Sequence, residues 1–78
     1  MNIERLVAMA NDIGSFFVTE AGPDDAPAQV ATHLRRFWEP RMRAQIARHA
    51  AAGGQGLSVV ALAAVRRLMP ATTDLPRD

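Results

Sequence analysis

The sequence predicts an all-α fold, a small bundle of about four short helices followed by a flexible C-terminal tail. Three observations predict it. Apolar residues recur at intervals of three and four along four segments, and nowhere do polar and apolar residues alternate as in a half-buried strand. Capping residues precede these segments, and glycine or proline follows them. No stretch repeats another, which argues against a stacked array.

The first helix is expected from Ile3 to Val18, with Asn2 as its N-cap. Ile3, Leu6, Val7, Ala10, Ile13, Gly14 and Phe17 fall on one face. Met9 and Phe16 lie beside that stripe. They widen the apolar arc to roughly half the circumference, more than the ~100° a core-facing helix needs. Glu4, Asn11, Asp12 and Ser15 take the other side.

Glu20 to Asp25 reads as an acidic turn, with Asp25 placed to cap the second helix and Pro27 tolerated in its first turn. Val30, Leu34, Phe37 and Trp38 form the expected inner face of that helix. Arg35 and Arg36 point outward, and His33 sits at the margin. Pro40 disfavours the helical conformation at Glu39 and suits the first turn of a new helix. The third helix is therefore expected from Pro40 to Ala52, with Met42, Ile46, His49 and Ala50 inward and Gly53-Gly54 as its stop. Ser58 caps the fourth helix, and Leu57 and Leu62 are spaced for a hydrophobic staple. Ala61, Leu62, Val65, Leu68 and Met69 share a face there, Arg66 and Arg67 face away, and Pro70 closes it. Residues 1–70 thus form a single helical domain, and residues 71–78 hold too little apolar content to fold alone.

Composition limits what this unit can be. At 78 residues it is one domain, and a core of that size rarely supplies more than ~3–5 kcal/mol. With no cysteine, it has neither disulfides nor thiolate metal sites. Iron–sulfur clusters of the usual all-cysteine kind are excluded as well. Its two histidines are too few for a closed zinc site. No metal or cofactor is therefore expected, and in a redox enzyme the electrons would travel through other chains. Extra stability must come from tight helix packing or from a partner.

No apolar run reaches the ~20 residues that span a bilayer. Met1-Asn2-Ile3-Glu4-Arg5 lacks the basic start and unbroken apolar stretch of a signal peptide. A cytoplasmic protein without a membrane partner is expected. All nine basic residues are arginine, and the net charge of +1 is unevenly placed. Residues 1–32 hold five acids and one arginine; residues 33–49 hold five arginines and one glutamate. Such polarity suits docking on a charged surface.

The densest segment runs from His33 to Arg43, an aromatic pair at a helix–helix corner among four arginines. Aromatics and arginines dominate binding hot spots, although Phe37 and Trp38 equally suit the closure of a small core. Adjacent residues on a helix point about 100° apart, so of Phe16 and Phe17 one can be core and the other interface. The candidate partner-binding residues are Phe16, Arg35, Arg36, Phe37, Trp38, Pro40, Arg41 and Arg43.

No catalytic residue is singled out. His33 and His49 lie on different expected helices with no cysteine near, and Ser15 and Ser58 have structural roles. Gly53-Gly54-Gln55-Gly56 follows a helix and lacks the Gly-Lys-Ser/Thr ending of a phosphate loop. The alternative to a protein-docking subunit is a small arginine-rich nucleic-acid-binding regulator. Its expected sign, a basic footprint across the domain, is missing from the near-neutral charge balance.

Three stretches also resemble a known family. Leu6-Val7-Ala8-Met9-Ala10-Asn11-Asp12-Ile13 with Phe16-Phe17 is similar to the opening of the delta subunit of NAD-dependent, molybdenum-containing formate dehydrogenase. The run from His33 to Met42 resembles its centre. Gly53-Gly54-Gln55-Gly56-Leu57, then Leu62 and Arg66-Arg67-Leu68, resembles its end. The resemblance covers roughly Leu6 to Leu68, with Asp12 standing for a glutamine and Glu39 for an aspartate. It implies a non-catalytic subunit of a soluble complex that oxidises formate to carbon dioxide with NAD. In that family the alpha subunit holds the molybdenum cofactor and iron–sulfur clusters, beta the flavin and the NAD site, and gamma a further cluster. Delta is associated with assembly, maturation or stability. The implied partner is the alpha subunit, docked at the corner of Phe37, Trp38, Pro40 and Arg41, with Arg35, Arg36 and Arg43 as a polar rim.

Overall fold

A computed structural model describes residues 2–68, and the ends of its first three helices follow from chemistry visible in the chain. Helix α1 spans Ile3–Ala21, α2 Ala26–Phe37, α3 Pro40–Ala51 and α4 Val59–Arg67. Among the described residues there is no strand. Met69 and Pro70, expected at the end of α4, and the tail 71–78 lie outside the described residues.

Asn2 caps α1, its Oδ1 accepting from the Glu4 N–H at 2.7 Å. The helix continues three residues past Val18, because nothing in Thr19-Glu20-Ala21 breaks it. Gly22 ends it at φ +86°, its N–H donating to the Val18 carbonyl. The cap expected from Asp25 is not formed. Asp25 is itself in helical conformation and makes no side-chain capping bond, so backbone bonds such as Ala26 N–H to the Gly22 carbonyl carry the entry turn.

The Glu39-Pro40 break falls where proline geometry puts it, with Glu39 extended and Pro40 opening α3. At the far end of α3, Gly53 N–H bonds the Ala50 carbonyl and Gly54 N–H bonds the His49 carbonyl, the two bonds of a Schellman closure. Ser58 Oγ accepts from Ala61 N–H at 3.1 Å and caps α4.

The core joins all four helices: Leu6 and Ala10 of α1, Val30, Ala31 and Leu34 of α2, Ile46 and Ala50 of α3, and Ala61, Ala64 and Val65 of α4. Trp38, at the α2–α3 corner, completes it. Many of these residues are alanines, which lets the backbones approach closely and spares side-chain entropy. Helix α4 packs chiefly on α2, α1 lies against α2 and α4, and α3 leans on α1 and α4.

One inner-face expectation is corrected. Phe37 was expected inside, yet it is 69% exposed, whereas Trp38 is only 5% exposed. The reason is where α2 stops. Phe37 is the last helical residue and sits at the outer margin of α2, while Trp38 adopts an extended backbone that places its indole in the core.

Candidate partner-docking surface

Along α1, Met9, Ile13 and Phe16 follow one another at helical spacing, about one turn apart. Phe17 sits beside them and faces α2, where His33 and Phe37 are likewise separated by one turn. The rings form an unbroken chain across the seam between the two helices. Phe16 and Phe17 meet edge to face with centroids 5.0 Å apart. Phe17 and His33 stand at 6.0 Å, and His33 and Phe37 at 4.8 Å. Met9, Ile13 and Phe17 are half-buried against the core, so they fix the base of this ridge. Phe16, 56% exposed, and Phe37 crown it. The edge-to-face contact of Phe16 on Phe17 contributes about 0.5–1.5 kcal/mol, and Phe37 rests on the tilted His33 ring.

The arginines divide into two kinds. Arg43, on α3, donates from Nη1 to the carbonyls of Arg35 (3.0 Å) and Trp38 (2.7 Å), at the C-terminal end of α2. Arg35 donates from Nη2 to the carbonyl of Arg67, the last residue of α4, at 3.0 Å. The final carbonyls of a helix lack intrahelical partners and carry partial negative charge, so these two guanidiniums close helix ends. Arg36 and Arg41 are exposed and form no hydrogen bond or ion pair among the described residues. Pro40 is exposed beside them.

Of the eight candidate residues, Phe16, Phe37, Arg36, Pro40 and Arg41 therefore face outward. Arg35 and Arg43 are held by backbone, and Trp38 is enclosed. Trp38 supports the corner from within and presents no face on which a partner could lie.

Two residues with a positioning role were not singled out by sequence. Asn11 donates from Nδ2 to the Gly56 carbonyl (2.9 Å) and accepts at Oδ1 from Ser58 N–H (2.8 Å). His49 Nε2 lies 2.7 Å from the Gln55 carbonyl; since a carbonyl only accepts, that nitrogen carries the proton. Together they clamp the glycine-rich loop and hold α4 at its starting angle. The clue available in sequence was weak: Asn11 is one turn from both Val7 and Gly14, hence on the border of the apolar stripe. Val59, 86% exposed, was also missed, but it lies beside Ser15 and Val18 on a different side of α1. A lone exposed apolar residue needs no special explanation.

Among the described residues no cluster of histidine, aspartate and glutamate is arranged to hold a metal ion, and no helix is long and apolar enough to cross a membrane. No curated protein and no solved structure matches the chain. A family model described as "NADH-dependant formate dehydrogenase delta subunit FdsD" matches residues 5–65. That span takes in the aromatic seam, the arginine-bound corner, the Asn11 clamp and all but the last two residues of α4, so the chain belongs to the formate dehydrogenase delta subunit family.

Proposed function

We propose that the chain is a non-catalytic accessory subunit that docks on the molybdenum-bearing alpha subunit of a cytoplasmic formate dehydrogenase. There it supports assembly, maturation or stability of a complex that also contains beta and gamma subunits. The observation that carries this reading is the ridge of Phe16 and Phe37 on its aromatic base. Large rings held outward are costly in water and typical of interface anchors. Arg36 and Arg41 serve as its polar rim, close to the corner and without an ion pair among the described residues. With no thiol in the chain, iron–sulfur chemistry of the all-cysteine kind stays with the other subunits.

The test is co-purification of all subunits with Phe16→Ser and Phe37→Ser combined. Loss of the chain from the complex, with the isolated variant still helical, supports docking through the seam. Full recovery at wild-type stoichiometry overturns it. Trp38→Ala is unsuitable for this purpose. Emptying a buried indole site costs about 3–5 kcal/mol, so complex loss would report unfolding.

A further inference from the structure

We propose that a second surface, the groove between α3 and the C-terminal ends of α2 and α4, receives a carboxylate-bearing segment of a partner subunit. The inference rests on the subunit reading only in requiring a partner, and it concerns a site apart from the aromatic seam. The groove encloses about 400 Å³ and is open to solvent. Arg35, Arg43, Ala44, Ala47 and Leu68 line it. Ala44 and Ala47 are three residues apart on α3, so small side chains leave a shallow apolar floor.

What makes this a site is the state of its two guanidiniums. Arg43 is pinned by two backbone carbonyls, both taken by Nη1, and Arg35 by one, taken by Nη2. A guanidinium has five N–H donors. Among the described residues, Nη2 and Nε of Arg43 therefore meet no acceptor, nor do Nε, Nη1 and the second N–H of Nη2 of Arg35, and neither residue forms an ion pair there. Each fork is already fixed, so little rotamer freedom remains to be lost when a ligand arrives. Guanidinium pairs with carboxylate in a planar, two-bond fork. The complementary ligand is an aspartate or glutamate followed by a small apolar side chain that rests on Ala44, Ala47 and Leu68.

The decisive variant is Ala44→Glu. It places a tethered carboxylate at the groove, able to occupy the forks itself and to repel an incoming acid. All three carbonyl bonds are kept, and glutamate is a good helix former. The isolated chain should keep its helical signal and its denaturation midpoint. Recovery in the full complex should fall about tenfold or more, the scale of one charge-assisted hydrogen bond, and Ala44→Gln, equal in size but uncharged, should lose much less.

Wild-type recovery of Ala44→Glu overturns the groove. If the seam variant is lost at the same time, the docking reading stands without it; if neither variant is lost, both fall. A chain ending at Leu68 keeps every core residue named above. Should it lose the complex as far as Ala44→Glu does, with no further loss when the two are combined, the groove belongs to residues 69–78 and the partner assignment fails. Retention of duplex DNA by the wild-type chain, abolished by Ala44→Glu, would assign the forks to phosphate and overturn it equally.

Discussion

At the scale of single residues, a few side-chain hydrogen bonds link segments far apart in the chain. Asn11 is the clearest case, since one amide satisfies Gly56 and Ser58 across more than forty positions. Replacing it with alanine removes two hydrogen bonds, each worth about 0.5–1.5 kcal/mol net, so a destabilisation of about 1–3 kcal/mol is expected. Asn11→Asp keeps the acceptor for Ser58 N–H but sets a carboxylate against the Gly56 carbonyl, and should fall in between or lower. Urea unfolding followed by circular dichroism measures both. A lower midpoint with unchanged slope is the expected result, and a midpoint equal to wild type for Asn11→Ala would show that the clamp contributes nothing.

At the scale of elements, the sequence was legible wherever a boundary is decided locally. Asn2, Glu39-Pro40, Gly53-Gly54 and Ser58 each act on their own few neighbours, and each does in the fold what its chemistry predicts. Asp25 failed as a cap because the turn from Gly22 had already wound into helix by backbone bonds alone. Phe37 and Trp38 were harder, because their sides are set by where α2 stops, and helical periodicity no longer applies beyond that residue. The glycines separate in the same way. Gly54 sits at φ +67°, and a Cβ there would come within 2.6 Å of Leu62 Cδ1. Gly54→Ala should therefore cost about 1–2 kcal/mol from the left-handed backbone, with displacement of Leu62 in addition. Gly14, buried within α1, would meet only ordinary contacts with Val60, Ala61 and Ser58 at 3.6–3.7 Å. Gly14→Ala should stabilise by up to about 1 kcal/mol, since glycine is the poorer helix former. Opposite shifts of the thermal midpoint are expected, and shifts of the same sign would refute the distinction.

At the scale of the whole molecule, the charge polarity evident in the sequence divides into two parts that sequence alone does not separate. Arginines occupy the last turns of α2, α3 and α4, where the helix dipole favours them. Part of the basic excess therefore closes helix ends, as Arg35 and Arg43 do. Arg36 and Arg41 are exposed, and Glu20 at the end of α1 with Asp24 and Asp25 in the following loop carries the opposite charge. No ion pair forms among the described residues, so salt has little internal attraction to screen and should scarcely alter the stability of the isolated chain. Docking should respond differently. Charges at the margin of an interface act mainly on the rate of encounter, whereas enclosed aromatic anchors act on the lifetime of the complex. Raising ionic strength until the Debye length falls from about 10 Å to about 3 Å should slow association with the alpha subunit several-fold while dissociation changes little. Arg36→Gln with Arg41→Gln should flatten that dependence, and Phe37→Ser should instead shorten the lifetime at every salt concentration. Surface-immobilised alpha subunit with the delta chain in flow separates the two rates. An association rate indifferent to salt, or a Phe37 variant that changes only that rate, would show that arginine steering and aromatic anchoring have been assigned the wrong way round.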